Sequence, residues 1–187
     1  MKNKKILYLI LIIVLIIFVF LSIFKDKIEK IIYPKPYHEI VSNYSKKYEV
    51  DENLIYAVMK AESNFNEKAV SHKKAIGLMQ IMEETAKDVV RKYDIGLEYN
   101  ITKEEIADIE NNINIGTKYL SVLLEKYKNK EVAVSAYNAG IGTVDKWIKN
   151  NIIKEDGSDI EKIPYKETNN YVRKILRDYK IYKELYK

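Results

Sequence analysis

The fold is decided by residues 51–63, which read DENLIYAVMKAES. Their strongly apolar members recur at intervals of three and four: Leu54, Ile55, Val58 and Met59. This spacing predicts a helix with one buried face, and Asp51 is a suitable N-cap for it. Ser63 and Asn64 are turn formers, so the helix is predicted to end near Glu62. A carboxyl group therefore stands at the end of an apolar helix.

The rest of the chain beyond the N-terminus also has mostly helical spacing. The capping box of Thr102 and Glu105 predicts the start of a further helix, and Thr143 is the predicted cap of the helix that runs through Trp147. No segment alternates strongly enough to predict a sheet, although a small hairpin near 150–165 stays open. The fold class predicted is all-α or mostly α. The helical segments are 40–48, 51–62, 83–93, 113–124, 132–137, 143–147 and 168–186.

The N-terminal segment is apolar and long. Residues 6–24 carry no charge, and at a helical rise they span about 28 Å, close to the thickness of a bilayer core. Lys2, Lys4 and Lys5 precede them, which predicts a cytoplasmic N-terminus and an extracytoplasmic remainder. The alternative is a cleaved signal peptide, but the run ends without a small-x-small site, so an uncleaved signal anchor is favoured.

The predicted organisation follows from that anchor. Its parts are a cytoplasmic end at 1–5, a transmembrane signal anchor at 6–24, a juxtamembrane spacer at 25–36 and a globular domain at 37–187. The prolines of the spacer interrupt regular helix. The chain has no cysteine, which excludes a lipid anchor on that residue and a disulfide framework.

The charge distribution argues against nucleic acid as a partner. The net charge is +5, but residues 1–30 hold six lysines against Asp26 and Glu29. The remainder carries 26 basic and 25 acidic side chains, which is a mixed-charge surface. His38 and His72 are far apart and have no metal-binding spacing, so neither a metal nor a cofactor is predicted.

Three short motifs carry the chemistry. They are Glu62-Ser63, GLMQIM at 77–82 and AYNAG at 136–140. Glu62 is disfavoured as a charge at a helix C-terminus and follows an apolar stripe, so its pKa is predicted to be raised, as a general acid requires. Gly77 allows a close backbone approach to a ligand, and the amide of Gln80 offers donors and an acceptor.

With these motifs, in this order and spacing, roughly residues 48–180 resemble the lytic transglycosylases, lysozyme-like enzymes that cut the glycan strands of bacterial peptidoglycan. The resemblance implies a lysozyme-like fold, with Glu62 as the acid and Tyr137 orienting its carboxyl by a hydrogen bond. It also implies that Gln80 and Ser71 contact the substrate, that Asn138 and Glu167 support the site, and that Tyr171 packs at the cleft or core. The predicted substrate-binding residues are Ser63, Ser71, Gly77, Met79, Gln80, Asn138, Glu167 and Tyr171.

The chain departs from the family pattern at two positions. Lys74 stands where a glycine is common, and Glu83 stands where a proline is common. Both departures affect the geometry of loops that contact the substrate and leave the reaction type unchanged.

The function implied is that of a membrane-anchored lytic transglycosylase that needs only one acid. Glu62 protonates the glycosidic oxygen and then accepts the proton of the muramyl 6-hydroxyl, which leaves a 1,6-anhydro end. Two alternatives stay open. The first is a muramidase, which requires a second carboxylate to hold a water. The second is a catalytically silent module that binds glycan or serves as a scaffold in an envelope apparatus.

Overall fold

The computed structural model describes residues 2–187, except for the side chains of residues 2–5, Leu21, Ile23 and Asp26. The chain divides into two units. One comprises residues 1–34 with 185–187, and the other comprises residues 35–184.

The first unit is dominated by helix α1, Lys2–Ile32. From position 6 to position 20 its side chains are apolar, and each is between 46% and 70% exposed. Across the residues described, no helix has both the length and the apolarity needed to cross a membrane. The predicted span includes Leu21 and Ile23, which lie outside the described side chains. The helix ends before Pro34, so the spacer begins as a continuation of the helix.

The second unit is built from helices and turns. In the described residues the only β-type pairings are two isolated bridges, Val70 with Ile76 and Ile76 with Ile81. The prediction of a mostly α fold is confirmed. The helices are α2 (His38–Tyr48), α3 (Glu52–Ser63), α4 (Glu83–Lys92), α5 (Lys103–Ala107), α6 (Ile109–Tyr127), α7 (Lys130–Ala139), α8 (Ile141–Lys149) and α9 (Lys166–Leu185), with a 3-10 turn at Ile160–Lys162.

Helix α6 lies at the centre of this unit. It packs against α2, α4, α5 and α7, and most of its residues from Asn112 to Leu123 are buried. In α7, the five residues from Val132 to Ala136 are all buried. Helix α7 also packs against α8, so α6 and α7 together contact α2, α4, α5 and α8.

Helix α3 begins and ends close to the predicted positions. The Asp51 side chain accepts a hydrogen bond from the backbone N–H of Asn53 at 2.9 Å, which confirms the N-cap. The predicted apolar face is at most 2% exposed. The helix ends at Ser63, and Asn64 follows in the left-handed conformation with φ 49°. Glu62 thus lies in the last turn of a buried helix.

Two predictions about helix starts have mixed outcomes. The capping box of Thr102 and Glu105 is confirmed, but it opens a helix of only five residues. The N-cap of helix α8 is Gly140 and not Thr143, because Gly140, with φ 84°, is at once the last cap of α7 and the first cap of α8.

The hairpin considered near 150–165 is wrong. Asp159 accepts a hydrogen bond from the backbone N–H of Lys154 at 2.7 Å, and Asn169 donates to the carbonyl of Ile160 at 3.1 Å. Side chains thereby satisfy backbone groups of this loop that a hairpin would pair with a second strand.

Candidate active site

The centre of the site is a tight turn at residues 76–81. Ile76 and Ile81 exchange both of their backbone hydrogen bonds, at 3.0 and 2.9 Å. Gly77 with φ 78° and Gln80 with φ 47° both adopt positive φ values inside the turn. The short GLMQ sequence therefore forms a closed loop that presents Gln80 at one end.

Three helices hold this turn by hydrogen bonds. From α3, the hydroxyl of Ser63 donates to the carbonyl of Leu78 at 2.8 Å. From α6, the side-chain oxygen of Asn112 accepts from the N–H of Met79 at 2.8 Å. From α7, the hydroxyl of Tyr137 donates to the carbonyl of Met79 at 2.9 Å. The turn is thus fixed relative to the helix that carries Glu62.

Asn112 is a residue of this arrangement that the sequence analysis missed. Its side chain is fully buried, and its amide nitrogen donates to the carbonyls of Ile76 and Ile106, both at 2.9 Å. A Cβ atom on Gly77 would lie 2.5 Å from that nitrogen. A glycine at position 77 therefore leaves room for the Asn112 side chain. The close approach to a ligand that the sequence analysis expected is not the reason for this glycine. One sequence signal could have indicated Asn112: it is a polar residue on the apolar face of its helix, four positions before Gly116.

Glu62 is half-buried, and its pKa is raised to about 7. Burial is the largest cause, because the ionised carboxylate is poorly solvated there. The hydroxyl of Tyr171 donates to Oε1 of Glu62 at 2.5 Å and opposes this increase, as does the positive charge of Lys174. The negative charge of Glu167 raises the pKa further. The carboxyl can therefore hold or release a proton near neutrality.

The hydrogen bonds of Tyr137 and Tyr171 differ from those that the resemblance implied. The resemblance assigned the hydrogen bond to the Glu62 carboxyl to Tyr137, but the hydroxyl of Tyr137 donates to Met79. Tyr171, which was expected to pack, makes the bond to Glu62 instead. Tyr137 nevertheless lies near the acid, since both line the same cleft. Burial and the nearby charge of Glu62 raise the pKa of Tyr137 well above its ordinary value.

A cleft of about 310 Å³ brings most of the predicted residues together. Its walls include Glu62, Ser71, Gln80, Tyr137, Asn138 and Glu167. They also include four residues that the sequence analysis did not predict to bind substrate: His72, Lys73, Ala75 and Met82. The other predicted substrate-binding residues do not line this cleft: Ser63, Gly77, Met79 and Tyr171. Of these, Ser63, Gly77 and Met79 build the turn, and Tyr171 bonds the acid.

The polar residues of the wall are partly used by the protein itself. The amide nitrogen of Gln80 donates to the carbonyls of Ala69 and Gly77, at 3.1 and 2.9 Å. The side-chain oxygen of Asn138 accepts from the hydroxyl of Thr168 at 2.7 Å. The part of Gln80 left for a ligand is therefore its amide oxygen.

A second cavity of about 240 Å³ continues the cleft. It shares Gln80, Met82, Tyr137 and Asn138 with the first and extends to Tyr119, whose ring centroid lies 5.3 Å from that of Tyr137. The two cavities form an elongated groove with an acid in one part and aromatic rings in the other. Such a groove suits an extended chain of sugar rings.

In the part of the chain that the structure describes, no group of three or more His, Cys, Asp or Glu side chains is placed to hold a metal ion.

Comparison with known proteins agrees with the geometry of the site. The family model "Transglycosylase SLT domain" matches residues 39–160. The chain belongs to this family. The chain is 36% identical over 146 residues to the soluble lytic murein transglycosylase of Escherichia coli strain K12, a match that covers 77% of this chain and 22% of that protein. It is 35% identical over 171 residues to the membrane-bound lytic murein transglycosylase C of Edwardsiella ictaluri, covering 80% and 47%.

A solved structure shares the fold of this SLT domain. It is an inactive mutant of the lytic transglycosylase Slt from Pseudomonas aeruginosa, in which a glutamine replaces a glutamate. The TM-score is 0.73 at 31% identity, and the match covers 83% of this chain and 25% of that one. This confirms the predicted lysozyme-like fold class of the lytic transglycosylases. The chain spans less than half the length of each of these three proteins.

Proposed function

We propose that the chain cleaves the glycan strands of peptidoglycan between N-acetylmuramic acid and N-acetylglucosamine, as a lytic transglycosylase with Glu62 as its catalytic acid and base. The observation that carries the proposal is the carboxyl of Glu62, whose pKa is about 7 and which opens on an elongated cleft. Membership of the SLT family and the names of the relatives support the substrate class.

The proposed reaction has two proton transfers on one residue. Protonated Glu62 gives its proton to the glycosidic oxygen as the bond from that oxygen to the muramyl anomeric carbon breaks. The carboxylate then takes the proton of the muramyl 6-hydroxyl as this oxygen bonds the same carbon. The products are a free 4-hydroxyl and a 1,6-anhydromuramyl end, and no water is consumed. A pKa near neutrality suits a residue that must do both.

Product analysis tests the proposal. The full-length chain is incubated with purified peptidoglycan, and the released fragments are identified by mass. We expect ends that are lighter by one water than the matching reducing ends. If no fragment is released under any condition, the proposed activity is wrong, and the alternative of a catalytically silent binding or scaffold module is supported.

One observation favours the muramidase as a second candidate. Glu167 is exposed at the start of α9 and lines the same cleft as Glu62, so it is the second carboxylate of this cleft. A carboxylate so placed could hold a water for attack on the anomeric carbon. Reducing ends in the product, lost in Glu167→Gln, would support this candidate. Anhydro ends that persist in Glu167→Gln would support the lytic reaction.

We further propose that residues 6–24 anchor the chain in the cytoplasmic membrane, with residues 1–5 in the cytoplasm, residues 25–36 as a spacer and residues 37–187 outside. The support is the uncharged run itself, its exposed apolar side chains on α1 and the lysines before it. The full-length chain should stay with membranes during an alkaline wash. A mature protein that begins near residue 25–36 in the medium would contradict this.

A further inference from the structure

The wall of the cleft nearest to Ser71 carries positive charge. His72 and Lys73 line the cleft that contains Glu62, and Lys74 follows them without lining it. All three side chains are exposed. Among the described residues, none of the three has an ion-pair partner, whereas lysines elsewhere in this unit pair with carboxylates, such as Lys35 with Glu52 at 2.9 Å.

These side chains stand on an ordered turn. The N–H of Ser71 donates to the carbonyl of Ala75 at 3.0 Å, and the N–H of Lys74 donates to the carbonyl of Ser71 at 2.9 Å. The hydroxyl of Ser71 also accepts from the N–H of Ala75 at 3.0 Å. Lys74 has φ 64° and closes the turn. The backbone that carries Lys73 is therefore fixed beside the cleft before any ligand arrives.

The opposite charge is concentrated elsewhere in the same cleft. Its carboxyl groups belong to Glu62 and Glu167, and the cation that acts on the Glu62 carboxyl is Lys174. Lys73 therefore neither neutralises the acid nor pairs with Glu167. A substrate that carries carboxylates is repelled by Glu167, and by Glu62 whenever Glu62 is ionised, so a cation on another wall would favour its entry into the cleft.

The muramyl unit of the proposed substrate carries carboxylates of this kind. Where a peptide stem is attached, the lactyl carboxyl is its amide link and the carboxylates are those of the stem; where the stem is absent, the lactyl carboxylate itself is free. In both cases this side chain must leave the cleft beside the sugar that reacts at Glu62. We propose that His72 and Lys73 form a subsite for a carboxylate on the muramyl side chain, with Lys73 supplying the charge and His72 a hydrogen-bond donor. This inference rests on the proposed function, because it requires a muramyl substrate.

The test compares three substrates with the full-length chain. The first is glycan strands with peptide stems whose carboxylates are free. The second is the same strands with those carboxylates converted to amides. The third is strands from which the stems have been removed, so that only the lactyl carboxylate remains. Lys73→Gln is measured against Lys74→Gln, which removes the same charge one residue away from the cleft.

We expect Lys73→Gln to lower kcat/KM about two- to fivefold on strands with free carboxylates, the effect of one exposed ion pair. The loss should shrink with added salt and vanish on amidated strands, and Lys74→Gln should leave all three rates unchanged. A loss that persists on stripped strands shows that the subsite also accepts the lactyl carboxylate exposed there, and a loss that disappears there restricts the subsite to a carboxylate of the stem.

Two results would overturn the subsite: equal effects of Lys73→Gln and Lys74→Gln, or an undiminished effect of Lys73→Gln on amidated strands. Neither would affect the proposed reaction, which fails only if the wild-type chain releases no anhydro ends from any of the three substrates.

Discussion

Replacement of Tyr171 by phenylalanine tests the origin of the acidity of Glu62. The change keeps the ring and removes the hydroxyl that donates to the Glu62 carboxyl at 2.5 Å. This hydrogen bond favours the ionised form and therefore lowers the pKa, which burial has raised to about 7. Without it, the pKa of Glu62 must rise further.

The size of the effect follows from the kind of bond. A hydrogen bond to a charged group contributes about 1.5–3 kcal/mol, which corresponds to about one to two pKa units. Glu62 becomes a carboxylate when it gives up its proton, so the same bond also stabilises the state formed in the first proton transfer. We therefore expect a rate about tenfold to a hundredfold lower, with the activity loss at high pH displaced to higher pH by about one to two units.

The assay is the release of soluble fragments from peptidoglycan by the full-length chain, followed from about pH 5 to about pH 9. Tyr137→Phe is the matched control, because it removes a hydroxyl that bonds Met79 and not the carboxyl. The activity of Tyr137→Phe at each pH is divided by its own maximum, and the pH at which this activity falls on the alkaline side should match that of wild type. If Tyr137→Phe shifts this position and Tyr171→Phe does not, the assignment of the two hydroxyls is wrong.

Three further predictions concern the acid, the turn and metals. Glu62→Gln should reduce the rate about 10²–10⁴-fold. The same change should raise the free energy of unfolding more at pH 8 than at pH 5. A buried carboxyl with a raised pKa destabilises the fold once it ionises, and wild-type Glu62 ionises as pH rises through about 7, whereas glutamine does not. An equal change at both pH values would contradict this. Gly77→Ala should lower the free energy of unfolding by about 1–3 kcal/mol, since φ is 78° and the new Cβ would lie 2.5 Å from Asn112. Thermal unfolding measures this loss, and Gly142→Ala is the control because nothing lies within 4 Å of a Cβ there. Activity should survive a chelator, and a loss restored by calcium or zinc would reveal a metal site.

The sequence predicted the helix that carries the acid because its signals are local. The cap at Asp51, the apolar spacing and the turn formers after Glu62 all lie within about one dozen residues. The raised pKa of Glu62 was predicted for a related reason, since an apolar helix end desolvates a carboxyl. The structure confirms burial as the largest cause.

The partners of the acid were harder to predict because they are distant in sequence. Tyr171 is separated from Glu62 by 109 positions, and Tyr137 lies between them. Both rings reach the neighbourhood of the carboxyl, so only the packing of α7 and α9 decides which hydroxyl bonds it. The reason for Gly77 was hidden in the same way, because Asn112 comes from another helix, 33 positions after Met79.

Burial is the largest cause of the raised pKa of Glu62, and the side chains that modify this pKa all lie on one face of α9. Glu167, Tyr171 and Lys174 act on the carboxyl, and their spacing of four and three places them on the same side of the helix. Glu167 raises the pKa, whereas Tyr171 and Lys174 lower it. The rotation of α9 about its axis therefore determines how these opposing effects combine. Thr168, whose hydroxyl donates to Asn138 at 2.7 Å, ties the first turn of α9 to the end of α7 and so fixes that rotation beside the cleft.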